Sequence, residues 1–248
     1  MAVVSVVMPA YNSEDTISES IESVLSQSYK DFELLICDDG SLDSTRLIIE
    51  GFLVKDSRVK LLNNDFCKGA AGARNTCLEA SKAKYIAFLD SDDLWDKDKL
   101  KNQIAFMDAT FSPVSYSDYI MFDFKGNKKK IISPDSISFD DMTKKCNVGC
   151  LTVVINRELV GSFLFPNIPK EDYALWLVLL SRGFVFKRCP NVISFYRKQQ
   201  NSISSTKFSE IFKQWYVLRN IAKLTRFRAM YCLSSYVANG IFKHYIKG

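Results

Sequence analysis

Histidine is almost missing from this chain: among 248 residues there is one, His244. That scarcity excludes metal chemistry built on imidazole, zinc and copper above all. Cysteine is present seven times, an odd number without regular spacing. Most of these thiols sit in apolar runs, where they act as small hydrophobes, so the chain reads as reduced and cytoplasmic rather than as a disulfide framework. Cys146 and Cys150 are the nearest approach to a metal pair, and no histidine stands ready to complete it. The opening "MAVVSVVMPAYN" has no basic leader and no small-residue cleavage pattern, so it reads as a first strand and not as a signal peptide. No long apolar run occurs either. The longest uncharged stretch near the end, "AMYCLSSYVANGIF", is too short and too polar to span a bilayer.

What is present is a core and an uneven charge. A hydrophobic content of 47% excludes a disordered chain. The net charge of +5 is concentrated at one end, because residues 207–248 hold eight Lys or Arg against the single acid Glu210. The rest of the chain is therefore slightly acidic. A nucleic-acid enzyme would line its working groove with basic residues, so a basic tail on an acidic body argues for a docking surface and against nucleic acid as a partner. From Phe208, the residues Ile211, Trp215, Leu218 and Ala222 recur at helical spacing with Lys213, Arg219, Lys223 and Arg226 beside them. Such a basic amphipathic helix suits a membrane interface, and it equally suits packing against its own domain.

The body alternates strand and helix patterns. "VVSVVMP" is a continuous apolar run, as in a strand buried on both faces, and "SEDTISESIESVLSQS" follows with Ser13 as the expected cap and Ile17, Ile21, Val24 and Leu25 on one helical face. "FELLICDDGS", "RVKLLNN" and "KYIAFLDSDD" read as further strands, with helices at "DSTRLIIEGFLVK" and "GAAGARNTCLEAS" between them. This order predicts an α/β fold, a doubly wound and mostly parallel sheet. "FDFKGNKKKIIS" reads as a hairpin with Lys128 to Lys130 in its solvated turn.

Open α/β sheets bind ligands beyond the carboxyl ends of their strands. Here those ends are "PAYN", "DDGS" and "DSDD", the last crowding Asp90, Asp92 and Asp93 together although each raises the cost of ionising the others. Taken singly, "DDGS" is ordinary turn chemistry and "PKEDYALW" an ordinary helix start. Three polar clusters at successive strand ends point to one crevice that receives a cation or a cationic group.

The stretches "SVVMPAYNSEDTISESIESVLSQSYKDFELLICDDGSLDST", "KGAAGARN" and "YIAFLDSDDLW" resemble the nucleotide-sugar half of a family 2 inverting glycosyltransferase with the GT-A fold. "KEDYALWLVLLSRG" and "YRKQQNSIS" are similar to the acceptor half of members that build bacterial O-antigen, capsule or teichuronic-acid-like surface glycans. The resemblance spans about residues 3–206. It implies nucleotide-sugar binding within 1–95, acceptor binding and a catalytic base within 96–206, and a helical segment over 207–248. It further implies that Asp92, with Asp90, holds Mn2+ or Mg2+, whose Lewis acidity assists departure of the diphosphate. Asp90 and Ser91 face the nucleotide sugar, Asp39 accepts from the uracil imide, and Pro9, Tyr11 and Asn12 form the wall against the base. Arg74 adds a charged donor near the phosphates, and Gly69 and Gly72 permit close backbone approach. On the acceptor side the resemblance makes Asp172 the base with Glu171 in support, and puts Asp93 and Trp176 beside the acceptor.

The implied donor is a UDP-sugar and the implied acceptor a sugar on a polyprenyl diphosphate, met at the cytoplasmic face of the plasma membrane by a peripheral protein. Processive members carry a QxxRW motif, which "QWY" at Gln214 does not match, so a single addition is expected. The alternatives are a nucleotidyltransferase, whose glycine- and arginine-rich loop "PAYNSED" does not supply, and a non-catalytic nucleotide-binding module. A phospho-receiver domain is about half this length.

Overall fold

The computed structural model describes residues 2–198 and the backbone of 207–245, with side chains over 209–237 in the latter. In chain order the first elements are β1 (Val4–Ala10), α1 (Ile17–Leu25), β2 (Phe32–Asp38), α2 (Thr45–Lys55), β3 (Val59–Asn63), α3 (Ala70–Ala80), β4 (Tyr85–Phe88), β5 (Leu94–Trp95) and α4 (Lys99–Thr110). There follow β6 (Val114–Phe122), β7 (Lys128–Ile131), β8 (Ser136–Ile137), α5 (Phe139–Lys144), a 3₁₀ turn (Cys150–Thr152), β9 (Val154–Asn156), α6 (Arg157–Val160), α7 (Glu171–Ser181) and β10 (Phe186–Arg197). Two helices, α8 (Lys207–Asn220) and α9 (Arg226–Tyr245), close the described chain.

One sheet runs through the body in the order β3-β2-β1-β4-β9-β6-β10-β5, with β7 beside β6 and β8 beside β10. The pairs of β1 with β2 and β4, of β2 with β3, and of β6 with β10 are parallel, whereas β9 joins β4 and β6 antiparallel. The sheet is therefore the mixed, largely parallel one expected. Strand β1 is buried along its whole length because it has neighbours on both sides and helices on both faces. Alternation then sorts its side chains. Val4, Val6 and Met8 join Ile17, Ile21, Ile49 and Leu100 in one core, while Val7 joins Phe88, Ala73 and Leu175 in the other.

Two local expectations need correction. Thr16, not Ser13, flanks the first turn of α1; the Ser13 carbonyl accepts from the Thr16 and Ile17 amides, and its hydroxyl is bonded to Ser91 instead. Lys128 to Lys130 lie on strand β7, and the hairpin turn is built by Asp123, which accepts from the Lys125 and Asn127 amides.

The C-terminal helices pack on the body. Val217 is fully buried in the core that holds α7, and Leu218, Leu224, Ala229 and Cys232 form a small core of their own against Phe139. The inward face of α8 thus runs through Gln214, Val217 and Leu218, rotated from the predicted stripe. Gln214 is buried because it has two partners: its amide donates to the Tyr173 hydroxyl (3.0 Å) and its oxygen accepts from Lys170 (3.0 Å). Phe212, Tyr216, Phe227, Met230 and Tyr231 stay exposed. Among the described residues no helix is long and apolar enough to cross a membrane. Lys247 lies outside the described residues.

Each fully buried Val or Leu contributes on the order of 1.5–3 kcal/mol. Truncation after Thr206 is therefore expected to lower the thermal unfolding midpoint by on the order of 10 °C or to cause aggregation. Thermal denaturation checks this, and an unchanged midpoint would show that α8 and α9 cover nothing the body needs.

Candidate active site

The strand order reverses at β1: α1 leads to β2 on one side, and α3 returns the chain to β4 on the other. A crevice must open where the connections diverge, beyond the carboxyl ends of β1 and β4. It does, as a cleft of about 880 Å³. Its walls include Pro9, Tyr11 and Asn12 after β1, Asp39 after β2, Gly69 and Arg74 at α3, and Asp90, Ser91 and Asp92 after β4. All of the predicted nucleotide-sugar residues thus meet in one place. Tyr11 offers a half-exposed ring, and Asn12 holds the loop with φ of 45°, a conformation asparagine tolerates, while its side-chain oxygen accepts from the Leu42 amide (2.9 Å).

Asp39 is fixed by two donors, the Asn64 amide group (2.5 Å) and the Gly69 N–H (2.7 Å). Gly69 turns with φ of 114°, which favours glycine. Gly72 has a different reason: a Cβ there would stand 1.9 Å from the Cys67 carbonyl oxygen. Its closeness serves the packing of α3 on its own loop, not the approach of a ligand.

The turn after β4 is held from three sides. The Ser91 hydroxyl bonds that of Ser13 (2.7 Å), and the Ser91 carbonyl accepts from Thr16 (2.9 Å). The third support comes from the end of β10. There the Arg197 amide donates to Asp93 Oδ1 (2.8 Å), Nε donates to the Asp92 carbonyl (2.8 Å), and Nη2 pairs with Glu19 (2.5 Å). Sequence reading passed over Arg197 although it belongs to "YRKQQNSIS"; the signal was an arginine closing a strand in an otherwise unexplained motif. Residues 199–204 of that motif lie outside the described residues.

A second cleft of about 420 Å³ adjoins the first. It is lined by Asp93, Tyr119, Tyr196, Glu171 and Asp172 among others, and Arg74 and Asp90 line both clefts. Arg74, nearly buried on α3, spans the junction: Nη2 meets Asp90 Oδ1 at 2.6 Å and Nη1 meets Glu171 Oε1 at 2.8 Å. The expected phosphate donor is therefore already committed to two carboxylates, whose charges hold its own ionisation against the penalty of burial.

Glu171 and Asp172 open α7 from Lys170, whose φ of 61° is a left-handed conformation locked by the bonds of its amine to Gln214 and Tyr236. Burial, with the charge of Glu171 beside it, pushes the Asp172 carboxyl up to about 6, while its Oδ1 accepts from the Tyr173 amide (2.6 Å). Burial and the neighbouring Asp90 and Asp92 raise Asp93 well above the usual carboxylate range.

Trp176 is a correction. It is fully buried among Phe88, Phe165 and Phe186, with ring centroids 6.0–6.2 Å away, so no acceptor can touch it. It faces inward because α7 is covered on nearly every side, with Tyr173, Ala174, Leu175, Leu177, Leu179 and Leu180 all buried.

Asp90 and Asp92 offer hard carboxylate oxygens from one turn. Among the described residues no set of three or more His, Cys, Asp or Glu side chains is placed to hold a metal unaided. Two carboxylates fit Mg2+ or Mn2+, which keep several positions for water and phosphate oxygen.

Paired acids at the switch point of a doubly wound sheet thus adjoin a second cleft that holds a raised carboxyl. The family described as Glycosyl transferase family 2 matches residues 5–152, and the chain belongs to it. It is 45% identical over 242 residues to the Escherichia coli UDP-Glc:alpha-D-GlcNAc-diphosphoundecaprenol beta-1,3-glucosyltransferase WfgD, covering 97% of this chain and 94% of that one. Its fold is similar to that of S. aureus TarS in complex with UDP-GlcNAc (TM-score 0.69, 21% identity, 98% of this chain and 73% of the other). It is also similar to the mannosyltransferase PcManGT of Pyrobaculum calidifontis, solved with GDP-Man and Mn2+ (TM-score 0.67, 15% identity, 95% and 73%).

Proposed function

We propose that this glycosyltransferase moves one sugar from a UDP-sugar, of the UDP-Glc, UDP-Gal or UDP-GlcNAc class, to a polyprenyl-diphosphate-linked sugar with inversion at the anomeric carbon. The observation that carries the reading is the meeting of the two clefts at Arg74 and Asp90, with Asp172 lining the second cleft and not the first. The name of the E. coli relative supports both donor and acceptor, and we take bacterial surface polysaccharide as the product class. We divide the body into a nucleotide-sugar half, 1–95, and an acceptor half, 96–206, which share one sheet, with 207–248 as a helical support.

Asp172 is the base and Glu171 is not, for an electrostatic reason. Glu171 Oε1 is occupied by Arg74, whereas Asp172 makes no such pair and its carboxyl is pushed up to about 6 by burial and the charge of Glu171. Asp172 takes the proton of the acceptor hydroxyl as that oxygen attacks the anomeric carbon. The bond from this carbon to the diphosphate oxygen breaks, and UDP leaves from the opposite face. Asp92 and Asp90 would hold Mn2+ or Mg2+, which when bound neutralises the charge developing on the diphosphate. Tyr11 and Pro9 carry the base, and Asp39, pre-set by Asn64 and Gly69, accepts from it. The exposed Phe212, Tyr216, Phe227, Met230 and Tyr231, with Lys223 and Arg226 nearby in sequence, support a peripheral position on the cytoplasmic leaflet, where such acceptors reside.

Because the base must be ionised, transfer is expected to fall as pH drops through about 6 and to be retained above it. Asp172→Asn should keep UDP affinity and lose about 10²–10⁴ in rate. Steady-state kinetics with calorimetric UDP binding measure both, and loss of UDP affinity would make Asp172 structural. Chelation with EDTA should abolish transfer reversibly, and Asp92→Ala should abolish it in any added metal. Full activity in chelator would refute the metal assignment.

A further inference from the structure

With Trp176 in the core, the acceptor cleft needs another surface for a sugar ring. Strands β6 and β10 supply one. Tyr119 and Met121 are two residues apart on β6 and so share a face of the sheet. In the parallel register Met121 stands opposite Tyr196, and Tyr119 opposite Ser194, which places Tyr196 on that same face. The two tyrosine rings lie 6.4 Å apart at 71°, an edge-to-face pair that fixes each other's orientation. Both line the cleft with Asp172, and Tyr196 keeps 40% of its surface exposed there. Exposure of a large ring inside a cleft, braced by a second ring, is what stacking on the apolar face of a pyranose requires.

A second observation points to a ligand at the same place. Asp93 lines this cleft and is 1% exposed, yet only its Oδ1 is bonded, to the Arg197 amide; Oδ2 has no partner among the described residues. Buried polar atoms are almost always paired, so an unpaired one lining a cleft is a place for a ligand's polar group. The cleft has less than half the volume of its neighbour, which suits one sugar residue rather than a lipid chain.

We infer that Tyr196, braced by Tyr119, is the stacking platform for the acceptor's terminal pyranose. This deepens the proposed function and rests on it. Pro9, Tyr11, Asn12, Asp39 and Ser91 line only the other cleft, so the platform acts on acceptor affinity.

The test is steady-state kinetics with a UDP-sugar donor and a lipid-diphosphate-linked GlcNAc acceptor. Tyr196→Ala and Tyr196→Leu are expected to raise the acceptor KM about tenfold, the equivalent of one lost aromatic stacking contact. Donor KM should stay within about twofold, and Tyr196→Phe, which keeps the ring face, should behave like the parent. The leucine variant keeps apolar bulk and serves if alanine disturbs folding. An unchanged acceptor KM in a folded variant, or an equal rise in donor KM, overturns the platform while leaving the proposed function standing. A parent enzyme that transfers to no lipid-diphosphate-linked pyranose overturns the proposed function and this inference with it.

Discussion

A buried guanidinium between two carboxylates, that of Arg74 between Asp90 and Glu171, is the interaction on which the site depends. Asp90 follows β4, Glu171 opens α7, and nothing local would bring them together. Four acids converge here, Asp90, Asp93, Glu171 and Asp172; besides burial, the charge of Asp90 makes Asp93 harder to ionise, and Glu171 and Asp90 do the same to Asp172. One fixed positive charge lowers that cost and ties the nucleotide-sugar cleft to the acceptor cleft. Removing one member of a buried pair leaves the other uncompensated, so the arrangement also specifies a unique geometry.

The same charge differentiates the two residues of the "ED" pair. Glu171 is bonded to Arg74. Asp172, without that bond and beside a like charge, keeps a carboxyl near 6, where proton transfer at neutral pH is efficient. Support comes from behind: Lys170 fixes the first turn of α7 through Gln214 and Tyr236, so the C-terminal helices reach the chemistry through packing. Their aromatic residues Phe212, Tyr216, Phe227 and Tyr231 lie on the exposed surface, away from that packing.

Strands β1, β2 and β4 were legible because continuous apolar runs have few other homes, and the paired acids because they stand at strand ends. The failures have physical causes. Trp176 lies one turn beyond Asp172, which suggested a shared face, but α7 is apolar nearly all round and no periodicity marks a cleft side. The pairing of Arg74 with Glu171 was not legible because the two are 97 residues apart. Arg197 and the Tyr119–Tyr196 pair depend on the parallel register of β6 and β10, strands separated by seven intervening elements. Local pattern carries no information on such a register.

Arg74 lowers the Asp172 carboxyl against the upward push of burial and Glu171, and the acid limb of the transfer rate against pH reads that opposing charge. Arg74→Lys keeps a charge at the junction, and its limb should remain close to the parent's. Arg74→Met removes the charge that holds the Asp172 carboxyl down, so its limb should move to higher pH. Identical limbs in the parent and both folded variants would contradict the account.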